Sequence, residues 1–197
     1  INGHPAIWWS GTTARFSIAQ SWTTNYPIAD SCGERPLKGK RPNFNIASVR
    51  LPNQNQKKNL FTSLSKGSTD SEAVKEYYNE WAKDYDQTLG GWEYRAPTDA
   101  AELMCSHLYA GNRILDVGCG TGMFAKEVRH RVQTELHGID ISDTSLQIAK
   151  QRNIYTTLTQ HNLQDLPLPF KNKSFDGIGC VGVLTYIEDI GDLLKEF

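Results

Sequence analysis

The stretch ILDVGCGTG, residues 114–122, joins an apolar run to three glycines that alternate with Cys119 and Thr121. Asp116 stands just before the glycines. Glycine loses more conformational freedom on folding than any other residue, so a cluster of glycines indicates a backbone that turns tightly or lets a ligand come close. The pattern predicts a buried strand, a ligand-binding loop and then a helix.

Strands and helices alternate on the carboxyl-terminal side of this loop. The predicted order is a strand at 113–117, a helix at 122–131, a strand at 135–140, a helix capped by Ser142, strands at 155–160 and 175–181, and a helix starting at 190. Strands that alternate with helices of this length predict βαβ units with right-handed crossovers. The fold class is therefore α/β, a doubly wound parallel sheet that binds ligands beyond the carboxyl ends of its strands.

Two helices are predicted before the sheet. Thr69 and Glu72 fit a capping box, and apolar and aromatic residues recur after them at helical spacing as far as Tyr85. A second helix is predicted from Pro97 to about Tyr109, since proline suits the first turn of a helix. These two helices form an amino-terminal helical cap on the domain.

Charge divides the chain at residue 68. Residues 1–68 contain 9 Lys and Arg against 2 Asp and Glu, whereas the remaining residues contain 12 against 20. The first segment is also rich in proline and polar residues and lacks a sustained period, which is typical of loop or disorder. We therefore predict an irregular or disordered basic extension over 1–68 and a folded domain over 69–197. Binding of nucleic acid by the extension is the less favoured alternative.

Several classes of site are disfavoured by composition. The four cysteines form no CxxC pair and the five histidines form no cluster, so no metal site or disulfide framework is expected. The apolar run at 178–187 is far too short to span a bilayer. No targeting signal is recognised, and the first residue is Ile rather than Met. We expect a cytoplasmic protein without a membrane partner.

The spacing of the glycines distinguishes two nucleotide ligands. A dinucleotide loop has the pattern G-x-G-x-x-G/A, but its last position holds the bulky Met123 here. Asp116 would also repel a pyrophosphate, whereas it favours a cationic ammonium or sulfonium. Asp140 ends the next predicted strand, where a carboxylate can accept hydrogen bonds from both ribose hydroxyls. A sulfonium nucleoside is favoured, and an NAD-dependent oxidoreductase stays open as the weaker alternative.

Four motifs in this order resemble those of the class I S-adenosylmethionine-dependent methyltransferases. They are DVGCGTG, GIDIS, NLQDLPLPF and SFDGIGCVGVL, and the similarity covers about residues 74–197. The upstream segments AVKEYYNEWAKDYDQ and WEYRAP are similar to the Williams–Beuren-region methyltransferase-like proteins. The resemblance implies a Rossmann-like sheet, S-adenosyl-L-methionine as cofactor and methyl transfer to an acceptor.

The resemblance also implies roles for residues around the glycine loop. Gly118 and Gly120 would let the backbone approach the methionine part of the cofactor, and Asp116 would face its ammonium group. Cys119 is included in the implied cofactor-binding loop, where it is expected to be a small space-filling residue rather than a nucleophile. Asp140 would hold the ribose.

Further cofactor contacts are implied on the later strands and on the amino-terminal helices. Ile141 would pack on the adenine, and Asn162 and Leu163 would contact its edge, with Asn162 standing where the family more often has Asp. Cys180 and Val181 would lie beside the sulfonium. Tyr85 and Arg95 would cover the cofactor, with Arg95 paired to its carboxylate. The alternatives are a core aromatic for Tyr85 and a surface charge for Arg95.

The predicted function is methyl transfer to an acceptor that the sequence does not identify, either a small molecule or a macromolecule. No catalytic base is predicted, and nucleic acid is not the favoured partner. The family sheet has seven strands, so we expect a partial domain that ends after the fourth strand. Its open edge and missing acceptor pocket would impair stability and activity. A non-catalytic cofactor-binding or interaction module is the alternative function.

Overall fold

The computed structural model describes residues 5–10, 17–20 and 69–197. The strands are β1 (Pro5–Ser10), β2 (Ser17–Gln20), β3 (Arg113–Val117), β4 (Glu135–Asp140), β5 (Thr157–Gln160) and β6 (Gly177–Val181). The helices are α1 (Ser71–Gly91), α2 (Ala96–Cys105), α3 (Met123–Arg131), α4 (Asp143–Gln151) and α5 (Ile190–Lys195), with a 3-10 turn at Leu184–Tyr186.

One sheet contains the described strands in the order β2-β1-β6-β3-β4-β5. The four strands β5, β4, β3 and β6 run parallel to one another, and β3 is paired to both β4 and β6. Buried parallel strands are apolar on both faces, as the burial of β3 and β6 shows. The predicted α/β fold with a parallel sheet is confirmed.

The hairpin of β1 and β2 lies along the edge of β6. The pairing of β1 with β6 is antiparallel and runs from Ala6 opposite Val181 to Ser10 opposite Gly177. The prediction of an irregular segment is therefore wrong for residues 5–10 and 17–20, and so is the prediction that the fourth parallel strand is an open edge. Backbone pairing supplied by a distant segment leaves no periodic signal in such short strands. The rest of the extension lies outside the described residues, so the domain boundary at 68/69 stays a prediction.

The core lies in two layers, one on each face of the sheet. On one face, Ile114 and Leu136 pack against α2 and α3, chiefly through Met104, Phe124 and Val128. On the other face, strand residues pack against the loop after β5, the 3-10 turn and α5; they include Leu115, Val117, Ile139, Ile178 and Cys180. Consecutive residues on β3 thus serve opposite layers, which is the two-residue period of a strand buried on both faces.

Helix α1 begins one residue later than the sequence pattern predicted. Asp70, not Thr69, is the N-cap, and its Oδ1 accepts hydrogen bonds from the backbone N–H groups of Glu72 and Ala73 at 3.0 and 3.2 Å. Asp and Thr are both good N-caps, so sequence alone did not separate them. Ser142 caps α4 as predicted, by accepting from Ser145 N. Within the described residues, none of the helices combines the length and apolar character needed to cross a membrane.

Candidate functional site

A cleft opens at the carboxyl ends of the parallel strands, beneath α1. The space within it is about 700 Å³ when its mouth, which is open to solvent, is included. Residues from α1, from the glycine loop and from the segments after β4, β5 and β6 line it. The predicted site residues among them are Tyr85, Gly118, Gly120, Asp140, Ile141, Asn162, Leu163 and Val181.

The glycine loop uses backbone conformations that side chains resist. Gly118, Gly120 and Gly122 all have positive φ angles, 66°, 52° and 89°. A Cβ atom on Gly118 would collide with the side chain of Val183, whereas a Cβ on Gly120 would meet nothing within 4 Å. Gly118 is therefore needed for packing, and Gly120 leaves open space for a ligand.

Asp140 is fixed between the glycine loop and the start of α4. Its Oδ2 accepts from Gly120 N and its Oδ1 accepts from Ser142 N, both at 2.8 Å. Burial raises the pKa of this carboxyl, and the backbone donors oppose that rise. Each carboxylate oxygen has a second lone pair, so the group can still accept hydrogen bonds from a ligand's hydroxyls.

Asp116 lies below the loop and does not line the cleft. The hydroxyl of Tyr155 donates to its Oδ2 at 2.7 Å. Complete burial raises the pKa of Asp116 to about 7, while the bond from Tyr155 acts in the opposite direction. The structure thus gives Asp116 a protein partner, where the family resemblance implied the ammonium of the cofactor.

Three other predicted residues also lie away from the cleft lining. The thiol of Cys119 is buried under the loop beside Gly138, and Cys180 is buried within the apolar core. Burial raises the pKa of both thiols, which suits structural cysteines better than nucleophiles. Arg95 is largely exposed and pairs with Asp99 at 2.8 Å, one turn further along α2. The surroundings of the two thiols come from distant segments, whereas Asp99 lies at the i,i+4 spacing of a helical ion pair with Arg95.

The segment after β5 is tied to the start of α1. The side-chain oxygen of Asn162 accepts from Ser71 Oγ at 3.2 Å and from Gln164 N at 3.1 Å. Gln164 in turn donates through Nε2 to Ser71 Oγ at 2.7 Å. These bonds hold Asn162 and Leu163 at the wall of the cleft.

Aromatic rings form the wall of the cleft that faces α1. The ring of Tyr78 on α1 contacts that of Tyr85 on the same helix and that of Tyr186 in the 3-10 turn. The ring centroids of Tyr78 and Tyr186 are 5.7 Å apart, and all three residues line the cleft. Tyr78 donates its hydroxyl hydrogen to Tyr186 Oη at 3.1 Å. Burial raises the pKa of both Tyr78 and Tyr85, so these phenols stay protonated at neutral pH.

Sequence reasoning missed about half of the cleft lining: Ser71, Val74, Tyr78, Thr121, Ser145, Gln164, Gly182, Val183, Tyr186 and Ile187. The helical spacing that marked Tyr85 also includes Val74 and Tyr78, so these two were within reach of the pattern. Gln164 and Tyr186 carry no local signal, because only the folded chain brings them to α1. No cluster of His, Cys, Asp or Glu that could hold a metal ion occurs in the described part of the chain.

Several known proteins are similar to part of this chain. Residues 114–197 match the family described as "Methyltransferase domain". Methyltransferase-like protein 27 of Homo sapiens is 38% identical over 112 residues, 55% of this chain and 46% of that protein. A demethylmenaquinone methyltransferase of Tropheryma whipplei is 34% identical over 128 residues, 61% of this chain and 51% of that protein. The chain thus spans about half the length of the curated relatives it matches.

A solved structure has the same fold. It is a Haloferax volcanii methyltransferase in complex with the Trm112 methyltransferase activator, with a TM-score of 0.51 and 22% identity. The alignment covers 60% of this chain and 53% of that chain. The predicted resemblance to methyltransferases is confirmed over residues 114–197, and the sheet has the Rossmann-like fold of this solved structure.

Proposed function

We propose that the chain binds S-adenosylmethionine in the cleft and transfers its methyl group to an acceptor. One observation carries the proposal. Asp140, at the carboxyl end of β4, has both oxygens fixed by backbone donors and borders the open space above Gly120. The fixed carboxylate of Asp140 can accept hydrogen bonds from the ribose hydroxyls, and the open space at Gly120 lets the rest of the ligand cross the loop.

The remaining lining fits the other parts of such a ligand. Ile141 and Leu163 offer apolar contact to an adenine ring. Because Asn162 uses its side-chain oxygen within the protein, its Nδ2 group is the donor left for the ring nitrogens. Gly118 and Gly120 allow the methionine part to lie close to the backbone, and Val181 lies at the end of β6.

The residues outside the lining take supporting roles in this proposal. Asp116 and Cys119 hold the loop from below, and Cys180 packs in the core under it. Arg95 makes no contact with the cofactor. Tyr85 belongs to the cover supplied by α1.

S-adenosylmethionine, when bound, supplies an electrophilic methyl group on a sulfonium. The protein's task is then to orient the reactants and exclude water, and orientation can contribute about 7–11 kcal/mol to catalysis. The aromatic wall of Tyr78, Tyr85 and Tyr186 would shield the reacting groups from solvent. No side chain is assigned as a general base, and the acceptor is either a small molecule or a macromolecule. We retain the cytoplasm as the proposed compartment.

Calorimetric titration with S-adenosylhomocysteine and with NAD tests the proposal. We expect S-adenosylhomocysteine to bind and Asp140→Ala to abolish the binding. Asp165→Ala serves as the matched control, because Asp165 is exposed and outside the cleft lining. Tight binding of NAD, or an affinity for S-adenosylhomocysteine that does not depend on Asp140, would refute it.

Binding of the cofactor without turnover is the second candidate. It is favoured by the length of the chain, about half that of the curated relatives, since residues elsewhere in those relatives could complete an acceptor site. Methyl-labelled S-adenosylmethionine, incubated with the chain and with separated small-molecule and macromolecular fractions of a cell extract, distinguishes the two. Label transferred to either fraction supports catalysis and identifies the acceptor class, whereas binding without transfer supports the second candidate.

A further inference from the structure

Helix α1 is fastened to three loops of the cleft by polar side chains two turns apart. Ser71 contacts Asn162 in the segment after β5 at 3.2 Å. Asn79 accepts from Ser142 Oγ, just after β4, at 2.7 Å. Asp86 contacts the glycine loop after β3. The helix therefore crosses the carboxyl ends of β5, β4 and β3 in turn and makes polar contacts at all three.

The contact at Asp86 differs from the other two because it closes a ring of three residues. Thr121 Oγ1 donates to Asp86 Oδ1 at 2.5 Å, and Arg152 Nη2 pairs with Asp86 Oδ2. Arg152 Nε donates to the backbone oxygen of Thr121 at 2.5 Å. The ring therefore joins α1, the glycine loop and the residue that caps the end of α4.

This ring holds the glycine loop at Thr121, which lies between Gly120 and Gly122. The Thr121 side chain is almost completely buried. Its neighbour Gly120 donates to Asp140, and its other neighbour Gly122 packs closely against Arg152 and Tyr155. A movement of Thr121 would therefore disturb the hydrogen bond from Gly120 to Asp140.

The charge of the ring is partly shielded from water. The side chain of Arg152 is 19% exposed and that of Asp86 is 43% exposed. Arg152 offers its planar guanidinium to two different acceptors, an arrangement that lysine cannot reproduce. The ring thus has the geometry to hold the loop, in contrast to the exposed pair of Lys195 and Asp192 on α5.

We propose that Asp86 is a positioning residue, which acts through Thr121 and Arg152 to hold the glycine loop in the conformation that receives the cofactor. Asp86 itself does not line the cleft. The inference rests on the proposed function for the identity of the ligand, but the restraint on the loop exists in the unliganded chain.

The test combines ligand affinity with amide hydrogen exchange of the loop. Asp86→Asn keeps the shape of the side chain and removes its charge. Asp84→Asn is the matched control, since it makes the same change two residues earlier at an exposed position of α1. In the unliganded chain, we expect Asp86→Asn to speed exchange of the amides of residues 118–122 at least fivefold, with the control unchanged. The affinity for S-adenosylhomocysteine should fall about tenfold.

A double-mutant cycle separates this role from a general loss of stability. If Asp86 acts through Arg152, the combined Asp86→Asn and Arg152→Gln variant should lose no more affinity than Arg152→Gln alone. Thermal unfolding of the unliganded variants corrects for any global change. Exchange rates in the loop of Asp86→Asn equal to those of the control would overturn the inference. Failure of the unaltered chain to bind S-adenosylhomocysteine would overturn the proposed function alone. The exchange measurement would still decide whether Asp86 restrains the glycine loop.

Discussion

The backbone N–H of Gly120 donates to Oδ2 of Asp140 at 2.8 Å, across twenty residues of sequence. The glycine loop and the acid at the end of β4 are therefore a single unit. Any substitution of Asp140 changes the loop as well as the group available to a ligand.

We expect Asp140→Asn to fail as a conservative substitution. Both oxygens of Asp140 accept backbone N–H groups, from Gly120 and Ser142. The amide nitrogen of Asn would leave one buried donor facing another, at a cost of about 1–3 kcal/mol. Denaturant unfolding should show that loss, while Asp165→Asn at an exposed position should change stability by less than about 0.5 kcal/mol. Equal stabilities of the two variants would contradict the role given to the second oxygen.

Alanine at Gly118 and at Gly120 should have different consequences. Both glycines have positive φ angles, so each substitution costs about 1–2 kcal/mol of backbone strain. At Gly118 the new methyl would also collide with Val183, whereas at Gly120 it would point into open space of the cleft. Gly118→Ala should therefore be the less stable variant in denaturant unfolding. Gly120→Ala should instead lose S-adenosylhomocysteine affinity out of proportion to its stability.

A second substitution gives an internal check on the collision at Gly118. Truncating its neighbour in the combined Gly118→Ala and Val183→Ala variant removes the colliding methyl groups. The combined variant should lose less stability than the sum of the two single changes. Simple additivity would show that contact with Val183 is not what requires glycine there.

Asp116 should make the stability of the fold depend on pH. Burial raises its pKa to about 7 in the folded chain, against about 3.9 for an unfolded Asp. The folded state therefore binds this proton more tightly, and the stabilisation is fully present below about pH 4 and is lost as the pH rises through about 7. The free energy of unfolding should fall over this range by about 2–4 kcal/mol from this group.

The measurement compares denaturant unfolding of the unaltered chain and of Asp116→Asn at pH 5 and pH 8. The variant cannot lose the proton, so its stability should change less between the two values than that of the unaltered chain. The quantity compared is the change in the free energy of unfolding between the two pH values, because Asn also changes the contact with Tyr155 and so the stability at each pH. The same pH dependence in both chains would assign the effect to other groups.

Arg95 distinguishes the sequence hypothesis from the structural one. The family resemblance implied a pair between Arg95 and the cofactor carboxylate, whereas the structure pairs it with Asp99 at an exposed position. Arg95→Ala should leave the affinity for S-adenosylhomocysteine within about twofold and cost at most about 0.5 kcal/mol of stability, as for other exposed i, i+4 pairs. A tenfold loss of affinity in calorimetric titration would restore the role implied by the resemblance.

The sequence predicted the alternation of strands and helices because that information is local. The apolar run before Gly118, the glycines themselves and the capping role of Ser142 depend on neighbours within a few residues. Asp140 was identified for the same reason. It ends the strand that follows the glycine loop and its helix, and the end of that strand lies beside the loop in a sheet of this kind. The misplacement of the α1 cap at Thr69 shows the limit of local patterns, because two adjacent residues were both acceptable.

The predicted site residues that lie away from the cleft lining have a different explanation. Arg95, Asp116, Cys119 and Cys180 were assigned to the cofactor from their positions in motifs, but their side chains found partners within the protein. The partner of Asp116, Tyr155, comes from a segment far away in the chain, whereas that of Arg95 is Asp99, one helical turn away. Spacing along the sequence does not report the direction in which a side chain points.

By itself, the sequence determined the fold class, the glycine loop and the acid that faces it, because backbone conformation and strand order follow from short-range patterns. Only the tertiary structure decided which distant segments meet around the sheet. The hairpin on β6, the contacts of Gln164 with Ser71, and the ring that joins Asp86 to Thr121 and Arg152 connect segments widely separated in the chain. The contacts of Ser71 and Asp86 depend on how α1 lies across the sheet, and packing of the whole domain sets that position.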